Sequence, residues 1–350
     1  NAVGAAVTLN GNSPYVTASS FTDQGRIASR TLGSGVQAVT RTYGWNTATG
    51  RLESMTATQG GVAVQQDSMV YDPVGNLLSV THDQAGVGSD HSECFSYDAR
   101  SRLVQAYTTV LTGGAPCPAG STVSGPGGYL TSLAVDEIGN LTQGPDGVYS
   151  YLASGAGSIR PHAPTATSNS TMVWNNDGTL ATKTVTATSA RLSYTWDGFN
   201  RLTKVTDTTI PTSPVDVQQM IYGPGGERVL MKDTAGVHLY LGGLAERHLT
   251  GAVVTDKRYY TIGGTTVAVR TKIAPAASYV DFLLGDIRGS IAMTVRENTT
   301  TTTEQWYTPY GTTRAGNTTT TTTRGYIGQT HDTTTNLNYL HNRYQDPQTG

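Results

Sequence analysis

A seven-residue pattern recurs along this 350-residue chain and limits its possible folds more than any other feature. An aromatic or apolar residue is followed by Asp or Asn, two variable residues, Gly, Ser or Asn, one polar residue and Leu; residues 71–77 are the clearest copy. The first, second and turn residues of the copies are Trp45, Asn46 and Gly50, with one extra residue; Tyr71, Asp72 and Gly75; Tyr97, Asp98 and Ser101; Val135, Asp136 and Gly139; Trp174, Asn175 and Gly178; Trp196, Asp197 and Asn200; and a degenerate copy, Tyr222, Gly223 and Gly226. Such repetition is typical of arrays in which each unit packs against the next.

The spacing of the copies indicates a regular array with two insertions. Consecutive turn residues lie 25, 26, 38, 39, 22 and 26 residues apart. The two long intervals contain a segment with two cysteines and a segment rich in Pro, Thr and Ser at 161–170. Insertions in repeat proteins fall in loops, so the underlying period is kept.

Each position of the pattern suits a tight turn between two strands. An Asp or Asn at the end of a strand can accept hydrogen bonds from the backbone N–H groups of the turn that follows. A Gly, Asn or Ser three residues later tolerates the positive φ that such turns need. The pattern therefore predicts a series of β-hairpin corners.

An apolar residue precedes the first position of the pattern by two residues in six copies. These residues are Met69, Phe95, Leu133, Met172, Tyr194 and Met220. Because side chains two residues apart lie on the same face of a strand, the spacing predicts that one face of the array is packed. We expect the opposite face to be polar.

The composition supports an all-β protein and excludes several functional classes. The chain has 41 Gly, long Thr runs and 19 Tyr against 4 Phe, a mixture that favours turns and half-buried strands. Its net charge is −2 and no Lys/Arg cluster occurs, so nucleic acid is not a predicted partner. No run of about 18 apolar residues is present, which argues against a membrane-spanning helix. The first residue is Asn, and we expect this piece to begin downstream of any export signal.

The two cysteines, Cys94 and Cys117, allow two interpretations. In an exported protein they could form one disulfide that closes a local loop containing Gly113, Gly114 and Pro116. Alternatively, they are two isolated buried thiols. Their spacing fits neither a zinc site nor a redox motif.

The repeated residues resemble the YD repeats of the rearrangement-hotspot (RHS) family. This family includes bacterial polymorphic toxins, insecticidal toxin-complex C components, bacterial wall-associated proteins and animal teneurins. A single repeat of this kind is weakly specific, but the resemblance extends over residues 43–350.

Four ordered blocks after Tyr279 resemble the RHS-associated core more specifically. The residues that match its signature are Asp286, Gly289 and Ser290; Tyr307, Pro309 and Gly311; Gly328 and Gln329; and Tyr339, Arg343, Tyr344, Asp346, Pro347 and Gly350. Gln345 departs from the family, which usually has an aromatic residue at that position. The resemblance divides the chain into an upstream repeat remnant at 1–42, YD/RHS repeats at 43–271 and a core segment at 272–350.

The resemblance implies an array of antiparallel hairpins that forms part of a spiral β-shell, capped by the core. It implies a secreted bacterial scaffold that encapsulates and delivers a C-terminal toxin domain. Family members release the toxin by self-cleavage at a DPxGL motif, which would lie beyond Gly350, so this chain is not expected to be an enzyme. The alternative is a cell-surface structural or adhesion protein. The partner would then be a second copy of the chain, or a cell-surface glycan or protein.

The remaining chemically interesting residues have ordinary structural interpretations, and the sequence predicts no catalytic, cofactor or metal site. Asp281, Asp286 and Arg288 could form a carboxylate pair or a cation site, but a turn Asp and an ion pair are more common. His331 and Asp332 lack a nucleophile motif nearby. His341 has an ordinary structural interpretation too, and His238 and His248 lack the spacing of a metal site. The Gly-rich run 223–226 lacks the Lys of a phosphate-binding loop. The Thr tracts 299–303 and 318–323 could carry O-linked sugar or form exposed loops.

Overall fold

The computed structural model describes residues 15–83, 90–111, 115–118, 120, 122–157, 159–316 and 322–350. Within these residues the chain is a succession of β-strands with one short 3-10 turn, Tyr326–Gly328. The predicted all-β fold class is confirmed. No helix in this described part is long and apolar enough to cross a membrane.

The strands of the first half are β1 Val16–Phe21, β2 Ile27–Leu32, β3 Val39–Trp45, β4 Leu52–Gln59, β5 Val62–Tyr71, β6 Leu77–Asp83, β7 His91–Tyr97, β8 Leu103–Thr109, β9 Leu130–Ser132, β10 Ala134–Val135, β11 Leu141–Gly144, β12 Gly147–Val148, β13 Ser150–Tyr151, β14 Pro164–Ala166 and β15 Ser170–Trp174. Those of the second half are β16 Leu180–Val185, β17 Arg191–Trp196, β18 Leu202–Asp207, β19 Val215–Tyr222, β20 Arg228–Asp233, β21 Val237–Leu241, β22 Ala245–Thr250, β23 Val253–Ile262, β24 Thr265–Ile273, β25 Tyr279–Gly285, β26 Ile291–Arg296, β27 Thr302–Glu304, β28 Thr330–Asp332, β29 Leu337–Tyr339 and β30 Tyr344–Gln345.

Within each sheet every strand pairs with its neighbour in sequence, and all of these pairs are antiparallel. The sheets are β1–β9, β10–β12, β13–β27 and β28–β30. This order is that of a continuous series of hairpins, as the repeat pattern predicts. We call β1–β27 the wall and residues 305–350 the C-terminal segment.

The repeat turns share one hydrogen-bonding geometry. In each, the N–H of the turn residue donates to the carbonyl of the Asp, Asn or Gly three or four residues earlier, over 2.8–3.2 Å. The turn residues Gly50, Gly75, Ser101, Gly139, Gly178, Asn200 and Gly226 all have positive φ, from 58° to 108°. In the clearest copy, Asp72 Oδ1 also accepts the N–H groups of Gly75 and Asn76. The side chain therefore holds the turn that the pattern predicts.

Two further corners follow the same plan, and Tyr151 marks one more position of a repeat aromatic residue. Thr22 and Gly25 form the same turn before β2, and Asp286 and Gly289 form it between β25 and β26. Tyr151 ends β13 at the start of a long loop that leads to β14. Tyr151 thus occupies a repeat position inside one of the two long intervals.

Each repeat aromatic also ties its hairpin to the preceding one. The polar tip of the ring donates a hydrogen bond of 2.6–3.0 Å to the carbonyl of the residue that begins the strand after the preceding turn. These bonds run from Trp45 to Ile27, Tyr71 to Leu52, Tyr97 to Leu77, Trp174 to Pro164, Trp196 to Leu180 and Tyr222 to Leu202. Tyr and Trp suit this position because they combine a large apolar ring with a hydrogen-bond donor.

The two faces of the strands differ in burial, but the outer face is not uniformly polar. Met69, two residues before its repeat aromatic, is 5% exposed. The residues just before three repeat aromatics, Val70, Val173 and Ile221, lie on the opposite face and are 52%, 59% and 57% exposed. The prediction of a polar opposite face is therefore wrong at these positions. Branched side chains favour the strand backbone even where they are not buried.

The two ends of the wall pack face to face and form the largest apolar core. Val16, Leu32, Val39 and Ala57 from β1–β4 lie against Tyr260, Val267, Ala268, Val280, Phe282, Leu284, Met293 and Val295 from β23–β26. The rings of Tyr15 and Tyr260 stack with their centroids 3.8 Å apart. The array therefore curves back on itself, because strands distant in sequence share one core.

Two sequence features lie within the wall. A disulfide joins Cys94 on β7 to Cys117 in the loop after β8. Gly113 and Gly114 of that loop lie outside the described residues. The predicted boundary between residues 271 and 272 falls inside β24, and the sheet continues to β27, so the domain division stays a prediction.

Candidate functional site

The C-terminal segment crosses the packed face of the wall and is held there by side chains from many strands. We call this contact the seam. Its polar contacts, in the order of the segment, join Arg314 to Glu93, Thr323 to Glu246, Asp332 to Arg228, Thr334 to Asp233, Thr335 to Gln218, Asp346 to Lys183, and the carbonyl of Thr349 to Tyr149. Most of these wall residues are polar side chains on the buried face of a strand, and the segment supplies their partners.

Acidic and histidine side chains on neighbouring strands form the first cluster of the seam, the His82 cluster. Asp67 on β5, His82 on β6 and His91 on β7 lie directly opposite one another in the strand register. His82 Nδ1 is 2.8 Å from Asp67 Oδ1, and its Nε2 is 3.7 Å from Glu93 Oε1. Arg314 from the C-terminal segment donates to Glu93 Oε1 over 2.9 Å and to His91 Nε2 over 3.2 Å.

The charges of this cluster favour the ionised forms of His82 and Glu93. Burial lowers the pKa of His82, but the carboxylates of Asp67 and Glu93 outweigh burial and raise it to about 10. Burial raises the pKa of Glu93, but His82, Arg288 and Arg314 hold it well below its usual range. The cluster therefore contains paired charges that are almost completely shielded from solvent.

The same residues could be considered as metal ligands. One ligand atom each from His82, His91 and Glu93 lies within 4.8 Å of the others, a donor set that suits zinc. Because the guanidinium of Arg314 donates to both His91 and Glu93, a cation already satisfies two of the three ligands. The arrangement is better described as an ion-pair network than as a metal centre.

A buried ion pair is the second cluster of the seam. Arg228 on β20 donates to both oxygens of Asp332 over 2.5 and 2.9 Å, and the two side chains are 0% and 1% exposed. Gln218 donates to the same carboxylate over 2.8 Å. Tyr240 and Tyr339 cover the guanidinium, with ring centroids 4.6 and 4.4 Å from its carbon. Such a pair fixes the register between the segment and the wall because its charges tolerate no other arrangement.

Two histidines that are separate in sequence form the third cluster. His238 on β21 and His248 on β22 face each other across the strands, with their Nδ1 atoms 2.5 Å apart. Asp233 lies 3.1 Å from His238 Nε2, and Glu246 lies 2.9 Å from His248 Nε2. Antiparallel pairing across the turn at 242–244 joins these two histidines, although their spacing in the sequence is not that of a metal site.

Each residue that the sequence suggested as a possible acid–base group is engaged in its own ion pair or hydrogen bond. Asp281 pairs with Arg296, whereas Asp286 pairs with Arg288 and accepts the N–H groups of its own turn. Asp332 belongs to the Arg228 pair, and the neighbouring His331 contacts Asn338 instead. These contacts do not form a catalytic dyad.

The core-signature residues lie along the seam or in its turns. Asp286, Gly289 and Ser290 form a repeat-type corner, and Tyr307 is buried. Gly311 has φ 89°, and a Cβ there would come 2.5 Å from the Tyr326 ring, which explains the glycine. Within the C-terminal segment, Tyr326 donates a hydrogen bond to the Pro309 carbonyl, Thr312 donates to the Pro347 carbonyl, and the N–H groups of Gly328 and Gln329 donate to the carbonyls of Gly325 and Tyr326.

Three signature residues contact the wall: the Tyr339 hydroxyl accepts the N–H of Arg228, Tyr344 bonds to Tyr222, and Asp346 pairs with Lys183. Gly350 lies beside Tyr310, and Arg343 and His341 are exposed.

Gln345, which departs from the family pattern, has its own contact. Its Nε2 donates to the carbonyl of Tyr310 over 3.1 Å. In the first Thr tract, the carbonyl of Thr299 accepts a hydrogen bond from Gln59 and the hydroxyl of Thr303 contacts Thr294. Residues 318–321 of the second tract lie outside the described residues.

Three cavities lie along the seam. Cavities of about 260 and 470 Å³ adjoin the His82 cluster and the His238–His248 pair, respectively. The third, of about 860 Å³, lies between β2–β4, β23–β24 and the C-terminal segment. Their walls combine aromatic rings with charged side chains.

No protein-family model matches the chain, and no curated protein sequence matches it. Among solved structures, a crystal structure of TcdB2-TccC3-Cdc42 is similar over 98% of this chain, with 16% identity and a TM-score of 0.57. A structure of the Photorhabdus luminescens Tc holotoxin pore is similar over 98% of this chain, with 15% identity and a TM-score of 0.57. A structure of TcdB2-TccC3 without its hypervariable C-terminal region is also similar over 98% of this chain, with 16% identity and a TM-score of 0.56. The chain spans 18% of the length of each of these structures. The similarity shows that this fold occurs within these structures.

Proposed function

We propose that this chain is the closing part of an RHS-type β-shell that encloses a toxic polypeptide passenger and carries it out of a bacterial cell. The passenger would be joined to the C-terminal segment. The shell would act by containment and not by catalytic turnover. Its place of action would be outside the producing cell.

The observation that carries this proposal is the course of the C-terminal segment across the packed face of the wall. Contacts between Arg314 and Thr349 hold the described parts of the segment on that face. A polypeptide joined to its end would therefore start on the same side of the wall. Ion pairs without solvent access make this placement specific, because a partly detached segment would leave charges unpaired.

The similarity to toxin-complex structures supports the same proposal. One of those structures is described as TcdB2-TccC3 without its hypervariable C-terminal region, so that protein has a variable region at its C-terminal end. A shell whose wall is constant while its passenger varies fits a function of containment. The described ion pairs of the seam join the wall to the C-terminal segment, and none of them involves the passenger. A change of passenger would therefore leave them intact.

Accessibility of single cysteines in the complete natural protein tests the proposal. Gln348→Cys places a thiol on the exposed part of the C-terminal segment, and Val173→Cys places the matched control thiol on the opposite face of β15. Other free cysteines are replaced beforehand; Cys94 and Cys117 are already bonded to each other. Each variant is treated with a small maleimide and with a maleimide that carries a long polyethylene glycol chain.

We expect the small reagent to label both thiols and the large reagent to label only the control at position 173. Mild denaturation should then make position 348 reactive with the large reagent. Equal labelling of both positions by the large reagent in the native protein would contradict enclosure. That result would favour the alternative, a structural or adhesion protein of the cell surface.

A further inference from the structure

Two buried arginines face each other on neighbouring strands of the wall without a carboxylate between them. Arg30 on β2 and Arg41 on β3 are direct partners in the strand register. They are 9% and 6% exposed. Like charges directly opposite one another destabilise a strand pair, and burial makes their repulsion stronger.

The contacts of these arginines leave much of their charge uncompensated. Arg41 donates to the carbonyl of Gly285 and to Met55 Sδ, and it lies 5.2 Å from the centroid of Tyr43. Arg30 has no hydrogen bond or ion pair with any residue in the described ranges, and the Nε atoms of both arginines are buried without a partner. Burial lowers the pKa of Arg30, and the charge of Arg41 lowers it further, although Tyr43 opposes this.

Arg41 borders the cavity of about 860 Å³, whereas its strand partner Arg30 lies just outside the cavity lining. The side chain of Arg30 ends beside the turn at Gly263: a Cβ added to Gly263 would lie 3.9 Å from Nη2 of Arg30. A third arginine, Arg324, reaches the cavity from the C-terminal segment and donates to Thr266 Oγ1 over 3.1 Å and to the carbonyl of Gly243. Arg324 has no carboxylate partner within the described part of the chain.

The carboxylates of the cavity are engaged elsewhere. Glu246 contacts His248 and Thr323, and Asp286 contacts Arg288. Glu227 lies against its own turn, close to Gly223. None of these three acids is within ion-pair distance of the arginine pair.

We propose that Arg41 and Arg324 form a binding site for a small organic phosphate or sulfate ester in this cavity, and that the charge of Arg30 beside Arg41 strengthens the attraction for the anion. Guanidinium groups bind such oxyanions through paired charge-assisted hydrogen bonds. The aromatic rings of Tyr43 and Trp45 line the same cavity and would contact the organic part of the ligand. A volume of this size falls in the range of small-molecule sites.

Thermal denaturation of the protein in phosphate, in sulfate and in chloride at equal ionic strength tests the site. A ligand that binds only the folded state raises the melting temperature as its concentration rises. Phosphate and sulfate stabilise most folded proteins because they are excluded from the protein surface. We therefore expect phosphate or sulfate, relative to chloride, to raise the melting temperature of the wild type more than that of Arg41→Gln. Calorimetric titration of the wild-type protein with pyrophosphate gives the affinity directly.

Arg30→Gln and Arg41→Gln should each weaken pyrophosphate binding by about tenfold or more. In chloride, Arg30→Gln should melt higher than the wild type because the repulsion is removed. The matched control is Arg247→Gln, which removes the same charge from an exposed arginine paired with Asp256 and should leave binding unchanged. The proposal is wrong if the wild-type protein does not bind pyrophosphate, or if Arg30→Gln and Arg247→Gln bind it equally.

Discussion

Asp332→Asn should be the most damaging conservative substitution in the seam. The change keeps the shape of the side chain but removes the only carboxylate that the described contacts place on Arg228. Both side chains are almost fully buried, so the positive charge would remain in a region of low polarity. Loss of one partner of a buried pair costs about 3–5 kcal/mol of stability. One amide oxygen would then have to accept the hydrogen bonds of both Arg228 and Gln218, which share two carboxylate oxygens in the native protein.

Urea denaturation followed by tryptophan fluorescence measures this loss. The control is Asp256→Asn, which breaks the exposed pair with Arg247 and should cost at most about 1 kcal/mol. The double variant Arg228→Met with Asp332→Asn should recover much of the loss, because no unpaired charge is left behind. A loss below about 1 kcal/mol for Asp332→Asn would refute the claim that this pair fixes the segment to the wall.

Three other substitutions test the repeat and the His82 cluster. Gly75→Ala, at φ 108°, should cost about 1–2 kcal/mol in urea denaturation, whereas Gly198→Ala, where the backbone needs no positive φ, should be neutral or slightly stabilising. Trp196→Phe leaves the carbonyl of Leu180 without its donor and should cost about 1–3 kcal/mol; an unchanged urea midpoint would argue against the link between hairpins. Because the pKa of His82 is raised to about 10 from its ordinary value near 6.5, its stabilisation is fully present below pH 6.5 and is lost as the pH rises through 10. His82→Gln should therefore destabilise the protein most at pH 6 and least at pH 10, and a pH-independent loss would contradict the network.

The corners of the wall were predictable because their chemistry is local. Asp72 and Gly75 are three residues apart, and the turn they form requires no knowledge of the rest of the chain. The corner at Gly25 was less visible because Thr22 stands where the pattern has Asp or Asn, and the corner at Gly289 because Gly285 stands where the pattern has an aromatic or apolar residue. Tyr151 was missed because a long loop separates it from the strand that follows.

The seam was not predictable from the sequence in the same way. Glu93 and Arg314 are 221 residues apart, and Arg228 and Asp332 are 104 apart. Such contacts depend on how far the wall curves, which no local pattern encodes. His91 and Glu93 do alternate on one face of β7, but the approach of His82 depends on the register with β6.

The four C-terminal blocks indicated where the important contacts would lie but not their form. Asp346 contacts Lys183, and Tyr344 contacts Tyr222, so these signature residues bind the wall. The sequence alone could not show this, because a signature motif does not name its partners. The arginine pair at Arg30 and Arg41 carries no motif at all.

Electron cryomicroscopy of the complete natural protein tests the central claim most directly. The claim is that the C-terminal segment lies on the inner, packed face of a shell and that the passenger lies on the same side. We predict density for residues 305–350 along that face, with the Arg228–Asp332 contact in place, and passenger density enclosed by the wall. A map with the passenger outside the wall, or with the segment detached from it, would contradict the account.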